Sequence, residues 1–244
     1  TQALRIVTPL FDNEIHFVVR ADSPMNFVHD MREAKISGGA VGSGAALTTH
    51  ALYRRLFGAP IPDANAVYAT AEEALVKLIT DKSVDVVAVV SAQPAPLIAN
   101  MKADAQKFVK LLKFDPAHAS SKAALSAYAP AKLSMASYPN LLSGDIDTLA
   151  VGTLLATYDY PQKDTAEALG RFARALCQNF GTLQSKGHPK WKEADLAMPQ
   201  LPEGLRYFTP AANEIKACLA RQGKPTARSE KACGAEERAL GLCR

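Results

Sequence analysis

The stretch with the residue types and spacing most suited to chemistry is Ser37-Gly-Gly-Ala-Val-Gly-Ser-Gly-Ala-Ala-Leu-Thr-Thr-His50. Lys35–Ser37 reads as a short strand running into a loop with four glycines, Gly38, Gly39, Gly42 and Gly44. A helix then begins with Ser43 as N-cap and ends near Gly58, with Pro60 just beyond. Its first residues, Gly44, Ala45 and Ala46, bring neither bulk nor charge. A helix N-terminus holds unpaired N–H groups and about half a positive charge. Acids in the first turn usually offset that charge, and Thr70-Ala-Glu-Glu73 has the form of such a capping box. The Ser43 helix has no acid, so its bare N-terminus behind a glycine loop suits an external carboxylate or phosphate. The same glycines would also serve a tight strand-to-helix turn with no ligand. The order G-x-x-G-x-G, with no Gly-Lys-Ser/Thr after it, is neither a P-loop nor the dinucleotide fingerprint.

Covalent chemistry finds little support. Ser43 as a nucleophile lacks a base: His50 is seven residues on, about two helical turns and roughly 10 Å along the axis. His50 reads as a helix-surface or packing residue. Glu14 and His16 read as a solvated strand end. Asp145 and Asp147 read as turn residues before a strand. Asp85 alternates with valines as a buried or edge polar group, and Trp191 reads as helix packing. No cofactor, metal site or enzymatic activity is expected.

The elements that position the loop follow from hydrophobic patterning. Leu4–Phe11 and Ile15–Arg20 read as two strands with a polar turn, Asp12-Asn-Glu14, between them. In the second, Ile15, Phe17 and Val19 share a face and His16 points the other way. After Ser23-Pro24, Asn26 caps a short helix running to Arg32. Ala66–Thr70 is a short strand, and Ala71–Thr80 is a helix burying Ala74, Leu75, Leu78 and Ile79. Val84–Val90 is a β-branched buried strand ending in the proline-stiffened Ser91-Ala-Gln-Pro-Ala-Pro96. Phe108–Phe114 is a strand, Ala119–Ala127 a short helix and Ile146–Thr157 a long strand. Asp164–Gln184 is one helix, capped by Asp164 with Glu167 and striped by Leu169, Phe172, Ala173, Leu176 and Phe180. Trp191–Met198 is a shorter helix, and the chain beyond Pro202 is loop-like or loosely helical. Alternation of strand and helix from residue 34 to 114 predicts a parallel, doubly wound α/β sheet. The Ser37 and Ser91 loops then meet at one sheet edge, where such sheets bind ligands.

The 244 residues can bury a substantial core as one large or two small domains. No apolar run approaches the roughly 20 residues of a membrane span. No secretory leader is visible, which suits a cytosolic, processed or trimmed chain. The net charge of +4 is all carried by residues 216–244, with seven Lys/Arg and three Glu. The body is neutral, which argues against a nucleic-acid partner. Cys177, Cys218, Cys233 and Cys243 form no CxxC pair. Their even number fits two disulfides in an oxidising compartment, and free thiols in the cytosol fit equally.

Several segments in one order resemble the TAXI family, the solute-binding proteins of TRAP transporters. They are Leu10-Phe-Asp-Asn-Glu-Ile-His-Phe-Val-Val-Arg20, Gly39-Ala-Val-Gly-Ser-Gly44, Val84–Pro94 closing in Ala-Gln-Pro, and Ser137-Tyr-Pro139. Lys186-Gly-His-Pro189 and Leu205-Arg-Tyr-Phe208 are similar to that family's later pattern. The resemblance covers roughly residues 4–215. It implies a type II periplasmic-binding-protein fold, a periplasmic location, TRAP permease subunits as partners, and a small carboxylate ligand such as glutamate or a dicarboxylate. Carried over by position, Gly42, Ser43, Gly44 and Ala45 would hold the ligand carboxylate. Ala92 and Pro94 would line the cleft, and Tyr138 would close over the ligand. Residues 22–148 would form the ligand-binding α/β lobe, 1–21 and 149–215 a partial second lobe with hinge strands, and 216–244 a basic cysteine-containing tail. Family members usually begin with a glycine-rich strand-helix segment that is missing here. This leaves a second expectation: a truncated lobe serving as an interaction or structural subunit, with another chain completing it.

Overall fold

The computed structural model describes residues 3–222. Their elements run β1 (Leu4–Arg20), a 3-10 turn at Val28–Glu33, β2 (Ile36–Ser37), α1 (Gly44–Phe57), β3 (Ala66–Val67), α2 (Ala71–Ile79) and β4 (Val86–Ser91). Next come α3 (Pro96–Ala99), β5 (Val109–Leu111), α4 (Ser121–Leu125), β6 (Ala129–Leu133) and β7 (Ile146–Tyr158). The last are α5 (Lys163–Gln178), α6 (Phe180–Lys186), a 3-10 turn at Pro189–Lys192, and α7 (Thr209–Gln222). None of the helices in the described residues is long and apolar enough to cross a membrane. Internal contacts divide the described residues into a larger unit, 9–153 with 184–195, and a smaller one drawn from 3–8, 154–183 and 196–222.

The larger unit is built on a mixed sheet in the order β3-β2-β4-β1-β7-β6, with β5 also paired to β1. β3, β2 and β4 run parallel, with Ile36 opposite both Ala66 and Val86. β1 runs antiparallel to β4 and to β5, which makes it the reversed strand among these five. The sheet is therefore not wholly parallel, as the sequence pattern suggests. Alternation along β1 explains the two-sided burial. Ile15, Phe17 and Val19 pack with Leu52, Tyr53 and Leu56 of α1. Val18 faces the opposite core with Val87, Val89, Leu78 of α2 and Ile98 of α3. Helices thus cover both faces, as a doubly wound α/β unit requires.

β1 is a single 17-residue strand, where the polarity of Asp12-Asn-Glu14 predicts a turn. The reason is that Glu14 lies opposite Ser91 in the β1–β4 register and is only 3% exposed. The larger unit accordingly takes in the second half of β1.

The smaller unit packs α5 against α7. The expected 21-residue helix is broken at Asn179 into α5 and α6, and its N-cap is Gln162 rather than Asp164. Its buried stripe is Gly170, Ala173, Leu176 and Cys177. Phe172, expected in that stripe, is 47% exposed. Small residues face α7: a Cβ placed on Gly170 would come 3.8 Å from Glu214 Cγ. α7 corrects the expectation of a loose chain after Pro202, burying Ala211, Ala212, Ile215 and Cys218 on one face. Cys177 and Cys218 form a disulfide between α5 and α7, and an Arg174–Glu214 ion pair with two hydrogen bonds of 2.6 and 2.8 Å lies beside them. Cys233 and Cys243 lie outside the described residues. Trp191 sits in the 3-10 turn of the larger unit instead of the expected helix, with its ring edge-on to Phe11 at 5.5 Å.

Candidate functional site

The glycine loop leaves the sheet at the carboxyl end of β2. Gly38 packs so tightly against α1 that a Cβ there would come 2.6 Å from Thr49 Cβ. Gly39 and Gly42 have φ values of +125° and +75°, a left-handed region that favours glycine. Ser43 is the N-cap as expected, and its hydroxyl accepts the Ala46 N–H at 3.1 Å. The first turn of α1 holds no acid. The N–H groups of Gly44 and Ala45 have no partner among the described residues, and Gly44 is exposed. These donors, with the partial charge of a 14-residue helix behind them, face outward from the turn. α2, by contrast, has a complete capping box, Thr70 with Glu73.

Two hydroxyls lie beneath the loop. Ser37 and Thr49 are each 1% exposed, and neither hydroxyl finds a hydrogen-bond partner among the described residues. Buried hydroxyls without a hydrogen-bond partner are rare in folded proteins.

The second loop leaves the same sheet edge, since β4 runs parallel to β2 and extends four residues past the Ser37–Val87 pair. Ala92 and Pro94 are half-buried in this loop, and the Gln93–Pro94 peptide is cis. Of the residues expected to bind ligand, Gly42 and Ser43 end the glycine loop, Gly44 and Ala45 open α1 directly after it, and Ala92 and Pro94 lie on the neighbouring loop at the same edge. Tyr138 is placed differently. It is 1% exposed, packed in the core with Val89, Ala95 and Leu133.

The Tyr138 hydroxyl is fully engaged. It accepts the Ala95 N–H at 2.8 Å and lies 2.6 Å from His16 Nε2. The other ring nitrogen, Nδ1, lies 3.1 Å from the Val89 carbonyl oxygen, which can only accept. His16 is therefore the neutral Nδ1–H tautomer, and Tyr138 donates to Nε2. Burial lowers the His16 pKa to about 4, against smaller opposing effects of backbone hydrogen bonds. Burial also raises the Tyr138 pKa to about 12, helped by the Glu14 charge and opposed by the Ala95 N–H.

Glu14 and His16 are not a solvated strand end. Both are buried, and Glu14 is the centre of a polar cluster. Its carboxylate accepts from the Gln93 N–H at 3.0 Å, from Gln93 Nε2 at 3.1 Å and from Lys190 Nζ at 2.5 Å. Lys190 is 3% exposed and also donates to Glu193 at 2.6 Å. Burial pulls the lysine pKa down, but hydrogen bonds and charges from Glu14 and Glu193 outweigh it and leave a net rise. Gln93 continues the chain, donating to the Lys132 carbonyl and accepting the Ser134 N–H. His188 Nε2 lies 3.3 Å from the Pro94 carbonyl. Sequence reasoning missed Gln93, His188 and Lys190. The available signal is a lone acid inside an apolar strand, which needs a distant partner if buried.

The remaining candidates keep structural roles. His50 stacks on Tyr68 at 5.6 Å on the α1 surface. Asp85 accepts from Arg20 and from the Lys35 N–H. Asp145 accepts the Met135 N–H, and Asp147 pairs with Lys132. Among the described residues no group of three or more His, Cys, Asp or Glu is placed to hold a metal ion.

A model of the NMT1-like family matches residues 1–198. The chain belongs to the NMT1-like family. This NMT1-like chain is thereby periplasmic-binding-protein-like, the coarser form of what the sequence resemblance implies. No curated protein sequence matches it. Solved structures similar to it include the arginine-, lysine-, histidine-binding protein ArtJ of Geobacillus stearothermophilus, at 16% identity and a TM-score of 0.44. A Xanthomonas citri protein bound to ATP follows at 13% and 0.41, and a TctC solute-binding protein from Polaromonas at 14% and 0.40. These matches cover 82%, 90% and 89% of the NMT1-like chain and 65%, 72% and 69% of the respective structures.

Proposed function

We propose that this chain is the ligand-binding component of a solute-uptake system, of the TAXI type that serves TRAP permeases, and that it binds a small carboxylate without chemical turnover. The observation that carries the reading is the N-terminus of α1: two unpartnered N–H groups, no acid in the turn, and no side chain to block approach. Gly42, Ser43, Gly44 and Ala45 receive the carboxylate, and Ala92 and Pro94 border it from the next loop. Tyr138 acts from below, by holding Ala95, and does not touch ligand. In this reading 22–148 is the ligand-binding lobe, and 1–21 with 149–215 is a partial second lobe. Family membership supports a binding protein. The Cys177–Cys218 disulfide supports the periplasm, an oxidising compartment. Glutamate and dicarboxylates are the ligand classes proposed.

The test is a thermal-shift screen of the chain against dicarboxylates, amino acids and keto acids. A ligand that binds only the folded state stabilises it by about 2.7 kcal/mol at a hundred times its dissociation constant. One carboxylate is expected to raise the midpoint. Ala45→Asp, which places a like charge at the helix N-terminus, is expected to abolish that shift without lowering the ligand-free midpoint substantially. Unchanged affinity in Ala45→Asp refutes the site. A screen with no shift favours an interaction subunit completed by another chain.

A further inference from the structure

We infer that Glu14, with Lys190 as its counter-charge, is the positioning residue of loop 91–95, an inference that rests on the proposed function for its ligand-binding meaning. The loop has few anchors of its own. Beyond Ser91 the β4 ladder has ended, and a Pro-containing segment offers few N–H donors. Glu14 replaces the missing ladder. One carboxylate oxygen accepts the Gln93 N–H, and the other accepts Gln93 Nε2. Gln93 in turn bonds the Lys132 carbonyl and the Ser134 N–H, fixing the loop to the end of β6. Tyr138 holds the Ala95 N–H two residues later. Ala92 and Pro94, the two residues expected to border ligand, flank the gripped Gln93.

As a carboxylate, Glu14 offers acceptors on both oxygens at once, to Gln93 and to Lys190. A carboxylate with 4% side-chain exposure requires a compensating charge. Lys190 supplies it from 176 residues away, on the segment 184–195. His188 of the same segment meets the Pro94 carbonyl at 3.3 Å. The segment therefore touches the loop directly at Pro94 and, through Glu14, at Gln93.

The experiment is residue-resolved amide hydrogen exchange on the ligand-free chain and three variants. Lys190→Met leaves a buried anion unpaired. It is expected to speed exchange at Gln93 and Ala95 by about tenfold or more while the amides of α2 hold their rates. Lys190→Arg keeps the charge and restores most of the protection. The double variant Glu14→Gln/Lys190→Met removes both charges but also one of the two acceptors facing Gln93, and is expected to exchange more slowly than Lys190→Met while staying faster than wild type. Unchanged exchange at Gln93 and Ala95 in Lys190→Met overturns the inference. So does equal acceleration in α2, which would make Lys190 a general stability residue, and so does a double variant as open as Lys190→Met. Because no ligand is present, failure here is separate from failure of the carboxylate screen.

Discussion

At the residue scale, His16 ties the strand to the loop beneath the candidate site, and the tautomer of its neutral ring is fixed by the Val89 carbonyl at Nδ1. Its folded pKa, about 4, lies below its unfolded value of 6.5. The unfolded chain therefore takes up the proton first as pH falls. The stabilisation is complete above about pH 6.5 and is lost progressively as pH falls from there towards 4. The loss amounts to about 3 kcal/mol at its fullest, at roughly 1.4 kcal/mol per pH unit. His16→Gln removes the titration, so the stability gap between wild type and variant should narrow across that window. Urea unfolding at half-unit pH steps checks it, and a constant gap would refute the assignment. Protonation would also force Nε2 to donate, displacing the Tyr138 hydroxyl hydrogen from its only acceptor there. None of this is legible locally. His16 is visible in the sequence as the residue facing away from Ile15 and Phe17, but its partner Tyr138 is 122 residues on. A single sequence carries no mark of that pairing, so both His16 and Glu14 read as solvated.

At the element scale, the helix ends are readable and the helix faces less so. The N-cap Ser43, the C-cap Gly58 with φ of 74° and the Thr70–Glu73 capping box all follow from local chemistry and stand in the structure. The face of α5 does not follow. Phe172 lies at helical spacing from Leu176, yet α7 is received by Gly170, Ala173 and Cys177, whose small size allows the close approach. A period identifies a stripe, whereas the neighbour decides which stripe is buried. The Cys177–Cys218 link then closes a loop with a sequence separation of 41. Replacing both cysteines by serine should destabilise the smaller unit by up to about 4 kcal/mol if loop entropy dominates. Denaturant unfolding of Cys177→Ser/Cys218→Ser, read from α5 and α7 amides, measures it. A change below about 0.5 kcal/mol would mean that α5 and α7 hold without the link.

At the scale of the whole molecule, the doubly wound unit is legible because strand and helix alternate from residue 34 to 114. The reversed strand at its centre is not, because Asp12-Asn-Glu14 has the composition of a turn. The polar centre that straightens β1 is assembled from residues far apart in the chain. This has a consequence for synthesis, which proceeds from the N-terminus. Glu14 is made first, and its strand can pair with β4 as soon as Ser91 has emerged. Its counter-charge is made 176 residues after it. Until Lys190 arrives, a nascent chain can fold the sheet only around an unpaired acid. A chain ended after Thr153 is thus expected to be recovered poorly in folded form, and Glu14→Gln in that truncated chain should raise the recovery. Equal recovery of the two truncated chains would show that the acid is no obstacle. The larger unit is thus expected to reach its final form only once Lys190, translated late, is there to pair with Glu14.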